Sequence, residues 1–156
     1  MNILHLLSQT HLTGSEVYAA SLIKRQIRDG HTCIIVSDTL SVQTDAQHVA
    51  MSIHNRSWLN RLSNIIRLVR LCREQKIDLI HAHSRAASWL ANIVSKIIPV
   101  AYLSTVHGRQ SIHASSKRFN VYGKHIITVC ENVGRHLKDD LGIRDAKIVT
   151  IRNGID

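Results

Sequence analysis

Residues 77–106 read IDLIHAHSRAASWLANIVSKIIPVAYLSTV: an apolar run, a longer amphipathic stretch, then a second apolar run. The first run, 77–82, and the second, 100–106, have the length and composition of buried strands, and the stretch between them, 86–98, has helical periodicity. Pro99 stands where it stops the helix without breaking the following strand. Strand, helix and strand in this order predict a right-handed crossover joining two parallel strands.

The same alternation extends in both directions. Strands are predicted at 2–8, 32–37, 125–130 and 146–151, with a weaker one at 49–54, and helices at 15–29, 58–75 and 132–141. Gly30 follows the first of these helices and Gly142 the last, as C-terminal glycines do. The fold class is therefore α/β: a Rossmann-like parallel sheet with helices on both faces. No internal repeat, low-complexity tract or Gly/Pro/Ser linker divides the 156 residues, so they are read as one domain. The stretch 152–156 reads as a turn leaving the last strand, with nothing following to return from it.

Composition removes several classes of function. Aromatic residues are 4% of the chain, too few to form stacking platforms for single-stranded nucleic acid, and no helix-turn-helix signature is present. No apolar run approaches the roughly 18 residues of a membrane span. Met1 to Leu7 lacks the basic flank of a signal peptide. Cys33, Cys72 and Cys130 are widely spaced and odd in number, which fits small buried side chains in a reducing cytoplasm better than a zinc site or disulfides. The net charge of +9 is concentrated centrally: residues 56–124 hold 12 basic and 2 acidic residues, the remainder 8 basic and 9 acidic. Such a field favours an anionic partner, and the alternative is a solvated basic face with none.

In open α/β sheets ligands bind beyond the carboxyl ends of the strands. Four polar segments fall there: 8–16 after the first strand, His81-Ala82-His83-Ser84-Arg85, His107-Gly108-Arg109, and Glu131-Asn132. The first leads into a helix N-terminus, where Gly14 lets a phosphate approach free N–H groups; the alternative is ordinary capping with Ser15 as N-cap and Glu16 in the first turn. It has neither a dinucleotide fingerprint nor a P-loop. His81 and His83 share one strand face and, with His107, are read as hydrogen-bonding or structural histidines, with no metal site expected. The helix at 58–75 is expected to bury Trp58, Leu62, Ile65, Ile66, Val69 and Cys72, with Arg56, Arg67 and Arg70 along one flank. Residues 109–119, together with Lys124, are the expected basic face toward an anionic membrane or acceptor: Lys117, Arg118, Phe119 and Lys124.

Taken together, these segments resemble the N-terminal domain of the GT-B-fold retaining glycosyltransferases that include sucrose-phosphate synthases, phosphatidylinositol mannosyltransferases and many lipopolysaccharide transferases, a family 4-like group. The resemblance rests on Asn2-Ile3-Leu4-His5-Leu6 followed by Gly14-Ser15-Glu16, on Asp29-Gly30-His31-Thr32-Cys33, and on Asp78-Leu79-Ile80-His81-Ala82-His83-Ser84. It continues through Thr105-Val106-His107-Gly108, Ile127-Thr128-Val129-Cys130-Glu131 and Ile151-Arg152-Asn153-Gly154-Ile155-Asp156. The order of these motifs along nearly the whole chain is more specific than any one of them. The family usually has Gly-Gly where this chain has Gly14-Ser15, and Ser where it has Cys130.

The resemblance implies transfer of a sugar from a nucleotide-sugar donor to a glycan or glycolipid acceptor, with no cofactor. His107 is the implied catalytic residue, beside the transferring sugar. Gly14, Ser15 and Glu16 form the implied donor diphosphate loop, and His83, Ser84, Arg85, Gly108, Arg109 and Glu131 the acceptor side. The donor-binding C-terminal domain, with its paired glutamates, is not among these residues. The chain is therefore expected to be inactive alone. It is expected to be cytoplasmic, with a peripheral position on the inner face of the cytoplasmic membrane as the alternative to a free one. The rival expectation is a non-catalytic binding module or one subunit of a split transferase working with a separate donor-binding subunit. Nucleic acid is not an expected partner.

Overall fold

The structure is a computed structural model that describes residues 1–112, 114, 118–144 and 146–154. Seven strands form one sheet: β1 (Asn2–Leu6), β2 (Thr32–Ser37), β3 (Gln47–Ala50), β4 (Leu79–Ala82), β5 (Ala101–Val106), β6 (His125–Thr128) and β7 (Lys147–Thr150). Every pairing is parallel, in the order β3-β2-β1-β4-β5-β6-β7. The main helices are α1 (Gly14–Arg28), α2 (Trp58–Glu74), α3 (Arg85–Ile97) and α4 (Glu131–Arg135), the last running into a π-helical turn at His136–Asp140. The α/β, Rossmann-like reading is therefore correct, including the edge strand, which lies a little earlier than 49–54.

Right-handed crossovers place α1, which carries the chain from β1 outward to β2, on one face of the sheet. The helices leading to β4, β5 and β7 travel the other way and cover the opposite face. The core divides accordingly. Ile3, Leu7, Ala19, Ile23 and Ile35 pack beneath α1. Leu4, Leu6, Leu68, Ile80, Leu90 and Val94 pack beneath α2 and α3. Val106, Ile126, Val133, Leu137 and Leu141 pack beneath α4. At the amino-terminal edge the Asp78 carboxylate accepts from Asn2 N at 2.7 Å, and the Asn2 amide donates to the carbonyls of Gln75 and Lys76. The first residue of the Asp78–Ser84 motif is thus a structural tie between β1 and β4.

Three local expectations need correction. The N-cap of α1 is Thr13, whose hydroxyl accepts from Glu16 N, and Ser15 lies inside the helix. The last helix does not continue regularly to Leu141: the hydrogen bond from Leu141 N to His136 O spans five residues, a π turn. The apolar stripe expected on α2 is recentred: Cys72 is buried and Ile65 and Val69 pack against the core as expected, but Trp58, Leu62 and Ile66 do not. Asn64, Leu68 and Cys72 are its buried residues, while Trp58 is 71% and Ile66 60% exposed, with Leu59 and Leu62 also outward. The cause is polar: the Asn64 and Asn60 amides donate to Ser52 O at 2.9 and 2.6 Å, turning the asparagine face inward against the preceding loop. Among the described residues no helix is long and apolar enough to cross a membrane.

Candidate functional site: the histidine rim at the switch point

The strand order reverses between β1 and β4, where one connection leaves toward β2 and the other toward β5. Such a reversal opens a crevice at the carboxyl ends of the strands. The β1–α1 loop, the end of β4 and the end of β5 meet there, around a cavity of about 130 Å³ lined by Ser15, His83, Arg85, His107, Gly108 and Tyr122, among others.

A file of histidines leads into this cavity from the interior. His5 pairs in register with His81 across β1 and β4, and His81, His83 and His107 stack successively on the α1 side. His5 Nε2 lies 2.8 Å from Gln26 Oε1, His5 Nδ1 3.0 Å from His83 Nε2, and His83 Nδ1 3.5 Å from His107 Nε2. Burial pushes His5 and His107 down to about 4 and lowers His81 and His83 well below the ordinary imidazole value, so all four are neutral at neutral pH. A neutral imidazole has one donor and one acceptor, and Gln26 Oε1 can only accept. The direction of the chain follows: His5 Nε2–H donates to Gln26, His83 Nε2–H to His5, and His107 Nε2–H to His83. His107 is left with its Nδ1 as an acceptor.

His81 Nε2 hydrogen-bonds with Thr105 Oγ1 at 2.7 Å, and Tyr18 of α1 sets its ring edge-on to His107 at 4.9 Å. One ring nitrogen from each of His5, His81 and His83 lies within 4.8 Å of the others, a grouping able to reach a metal ion. Those of His5 and His83 are already engaged in the chain.

The β1–α1 loop is braced internally. The Thr13 hydroxyl donates to Gln9 Oε1 at 3.0 Å, and the Ser15 hydroxyl lies 2.9 Å from Thr13 Oγ1. A side chain at Gly14 would meet open space. Glu16 is placed away from the rim: it is fully buried, and its carboxylate accepts from the backbone N–H groups of Ser41 and Val42, tying α1 to the loop after β2. Ser84 caps α3 by accepting from Ala87 N at 3.1 Å. Arg109 pairs with Asp140 at 3.2 Å, and the same carboxylate accepts from His136 Nδ1 at 2.6 Å. The His136 bond above all, with Arg109 beside it, holds the Asp140 carboxyl below its ordinary value. This network clamps the His107–Gln110 loop onto the π turn. Glu131, at the start of α4, pairs with Arg152 at 3.1 Å.

The basic face expected over 109–124 is not one surface. Lys117 lies outside the described residues. Arg118 sits against the exposed ring of Phe119. Lys124 precedes β6 at the amino-terminal edge of the sheet, opposite the rim, because the chain descends past α3 between Phe119 and His125. Cys33 and Cys72 are buried, whereas Cys130 is partly exposed at the start of α4.

Of the expected site residues, the fold gathers Ser15, His83, Ser84, Arg85, His107 and Gly108 around one cavity. His5, Tyr18 and Gln26 were missed in the sequence. The only available signal was a histidine interrupting the apolar run of β1, and nothing local links it to residues 76 or more positions later.

A seven-stranded parallel lobe with a polar crevice at its switch point has the Rossmann-like architecture of one half of the GT-B fold. The sequence pattern of Glycosyltransferase Family 4 matches residues 12–156, and the chain belongs to that family. A glycosyltransferase from Rickettsia africae is similar in structure, with a TM-score of 0.89 and 26% identity over 99% of this chain and 43% of that one. The lipopolysaccharide outer core galactosyltransferase WaaB shares the fold at TM-score 0.77 and 12% identity, over 99% of this chain and 46% of its own. Anabaena HepE, solved with UDP and glucose, shares it at TM-score 0.79 and 19% identity, over 100% of this chain and 45% of its own. The chain thus spans less than half the length of these proteins. No curated protein sequence matches it.

Proposed function

We propose that the chain is the acceptor-side lobe of a retaining glycosyltransferase, moving a sugar from a nucleotide-sugar held by a second lobe or subunit onto a hydroxyl of a glycan or glycolipid. The observation that carries this reading is the rim cavity, where neutral His107 stands between the α1 N-terminus and Tyr122. With its Nε2–H committed to His83, His107 receives a substrate hydroxyl at Nδ1 and orients it without bringing charge to the site. Gly14 and Ser15, opening α1, offer backbone N–H groups to the diphosphate, whose negative charge grows as the sugar departs. The buried Tyr122 hydroxyl, without a partner among the described residues, adds a polar contact for an acceptor. HepE's binding of UDP and glucose supports a nucleotide-sugar donor. In this reading the protein works in the cytoplasm, at the inner membrane face when the acceptor is a glycolipid.

The test is transfer of label from a panel of radiolabelled nucleotide-sugars to glycan and glycolipid extracts. The 156-residue chain alone should transfer none, and the protein joined to a donor-binding lobe should transfer it with retained anomeric configuration. His107→Ala in the joined protein should lower kcat about 100-fold or more. Transfer by the chain alone, or none by the joined protein with any donor, would overturn the proposal.

A further inference from the structure

A second, larger concavity lies beside the rim on the α2–α3 side. Arg56 stands just before the α2 N-cap Ser57, Arg61 lies in the first turn of that helix, and Arg85 opens α3. With Trp89, Phe119 and Val121 they line a cavity of about 410 Å³, into which no acidic side chain of the described residues enters. The Arg61 guanidinium lies 4.7 Å above the centre of the Trp89 ring. Among the described residues none of the three guanidiniums makes a hydrogen bond or ion pair. Elsewhere on the molecule Arg25, Arg70, Arg109 and Arg152 each pair with a carboxylate. Three uncompensated guanidiniums around one hollow repel each other, and an anion entering it relieves that repulsion.

We propose that this cavity is a subsite for a phosphate group carried by the acceptor. The inference rests on the acceptor-side reading above and names the chemistry of the acceptor. Guanidinium forks match phosphate oxygens two at a time and hold them by charge-assisted hydrogen bonds. Trp89 and Phe119 supply flat apolar faces for the sugar ring or chain attached to the phosphate. Arg85 lines both cavities, so a molecule anchored by its phosphate among the arginines extends its hydroxyl toward His107. In the proposed reading the donor diphosphate sits at the α1 N-terminus, which lines the rim cavity and not this one, so the two anionic groups take different places.

Trp89 is a built-in reporter once the exposed Trp58 is replaced by Phe. The Trp58→Phe protein is titrated with glucose 1-phosphate, with glucose at matched ionic strength, and with phosphatidylcholine vesicles with and without phosphatidylglycerol. A saturable change in Trp89 fluorescence with the sugar phosphate, or with phosphatidylglycerol vesicles alone, is the expected result. The first points to a soluble phosphorylated glycan and the second to a lipid headgroup. Arg56→Gln, Arg61→Gln and Arg85→Gln should each weaken the apparent affinity about tenfold or more. Arg25→Gln and Arg70→Gln should leave it unchanged, and thermal melting should show that all five fold. No saturable response to either anionic probe, an equal response to glucose, or equal weakening by the Arg25 and Arg70 variants would overturn the subsite. Binding is read without sugar transfer, so the two proposals fail separately: phosphate saturation in a protein that never transfers sugar removes the transferase reading alone.

Discussion

His5 is the fully enclosed end of the histidine chain, and its environment makes stability depend on pH. Folding lowers its pKa from 6.5 to about 4, chiefly through desolvation, and His107 is lowered to about 4 in the same way. The unfolded chain therefore binds more protons than the folded one between these values. The stability contributed by keeping these imidazoles neutral is complete above about pH 6.5 and is lost as pH falls through that value toward 4. For His5 alone the shift corresponds to something on the order of 3 kcal/mol. Urea unfolding at about pH 7.5 and about pH 5 checks this: the midpoint should be lower at the acidic pH with the slope unchanged. Equal midpoints would mean that the chain is not buried in the neutral form. At this scale the sequence was partly legible. His83 and His107 stand out because they follow apolar runs. Gln26 and Tyr18 look like ordinary helix residues until α1 is laid across β1 and β4.

Helix α2 shows what periodicity can and cannot decide. Its start and end were readable from its apolar repeat, and the structure agrees to within a residue. Its rotation was not readable, because Leu and Ile recur at three- and four-residue spacing on two faces. The choice between them was made by Asn60 and Asn64 bonding to a carbonyl of the loop before the helix. The two rotations predict opposite mutational results. Leu68→Ala should cost about 2–5 kcal/mol, as a buried truncation, and Ile66→Asp should change stability by less than about 1 kcal/mol, as an exposed substitution in a helix. Denaturant melts of the two variants separate the rotations, and a severe loss from Ile66→Asp would restore the one expected from sequence. The π turn after α4 was equally hidden. It forms where His136 and Asp140 are drawn toward Arg109 and Gln110, residues of a different loop.

Across the whole molecule, sheet position sets both rigidity and the location of the crevice. β1 and β4 lie between neighbours and under helices, whereas β3 and β7 are edges. Native-state hydrogen exchange should find the slowest amides in β1, β2 and β4 and fast exchange in β3 and β7. Amides of β7 as protected as those of β1 would show that the β6–β7 side is a cooperative part of the same core. The alternation of strands and helices, the parallel sheet and the four polar segments at its carboxyl edge were determined by the sequence alone. They depend on local properties: side-chain period, apolar run length, and glycine or proline at element ends. Which strands lie side by side was decided only by the tertiary structure, and with it the chain from Gln26 through His5 and His83 to His107, the inward placement of Glu16 and the gathering of Arg56, Arg61 and Arg85. These features join residues from different elements, and no local pattern records a contact formed only when the sheet reverses its order between β1 and β4.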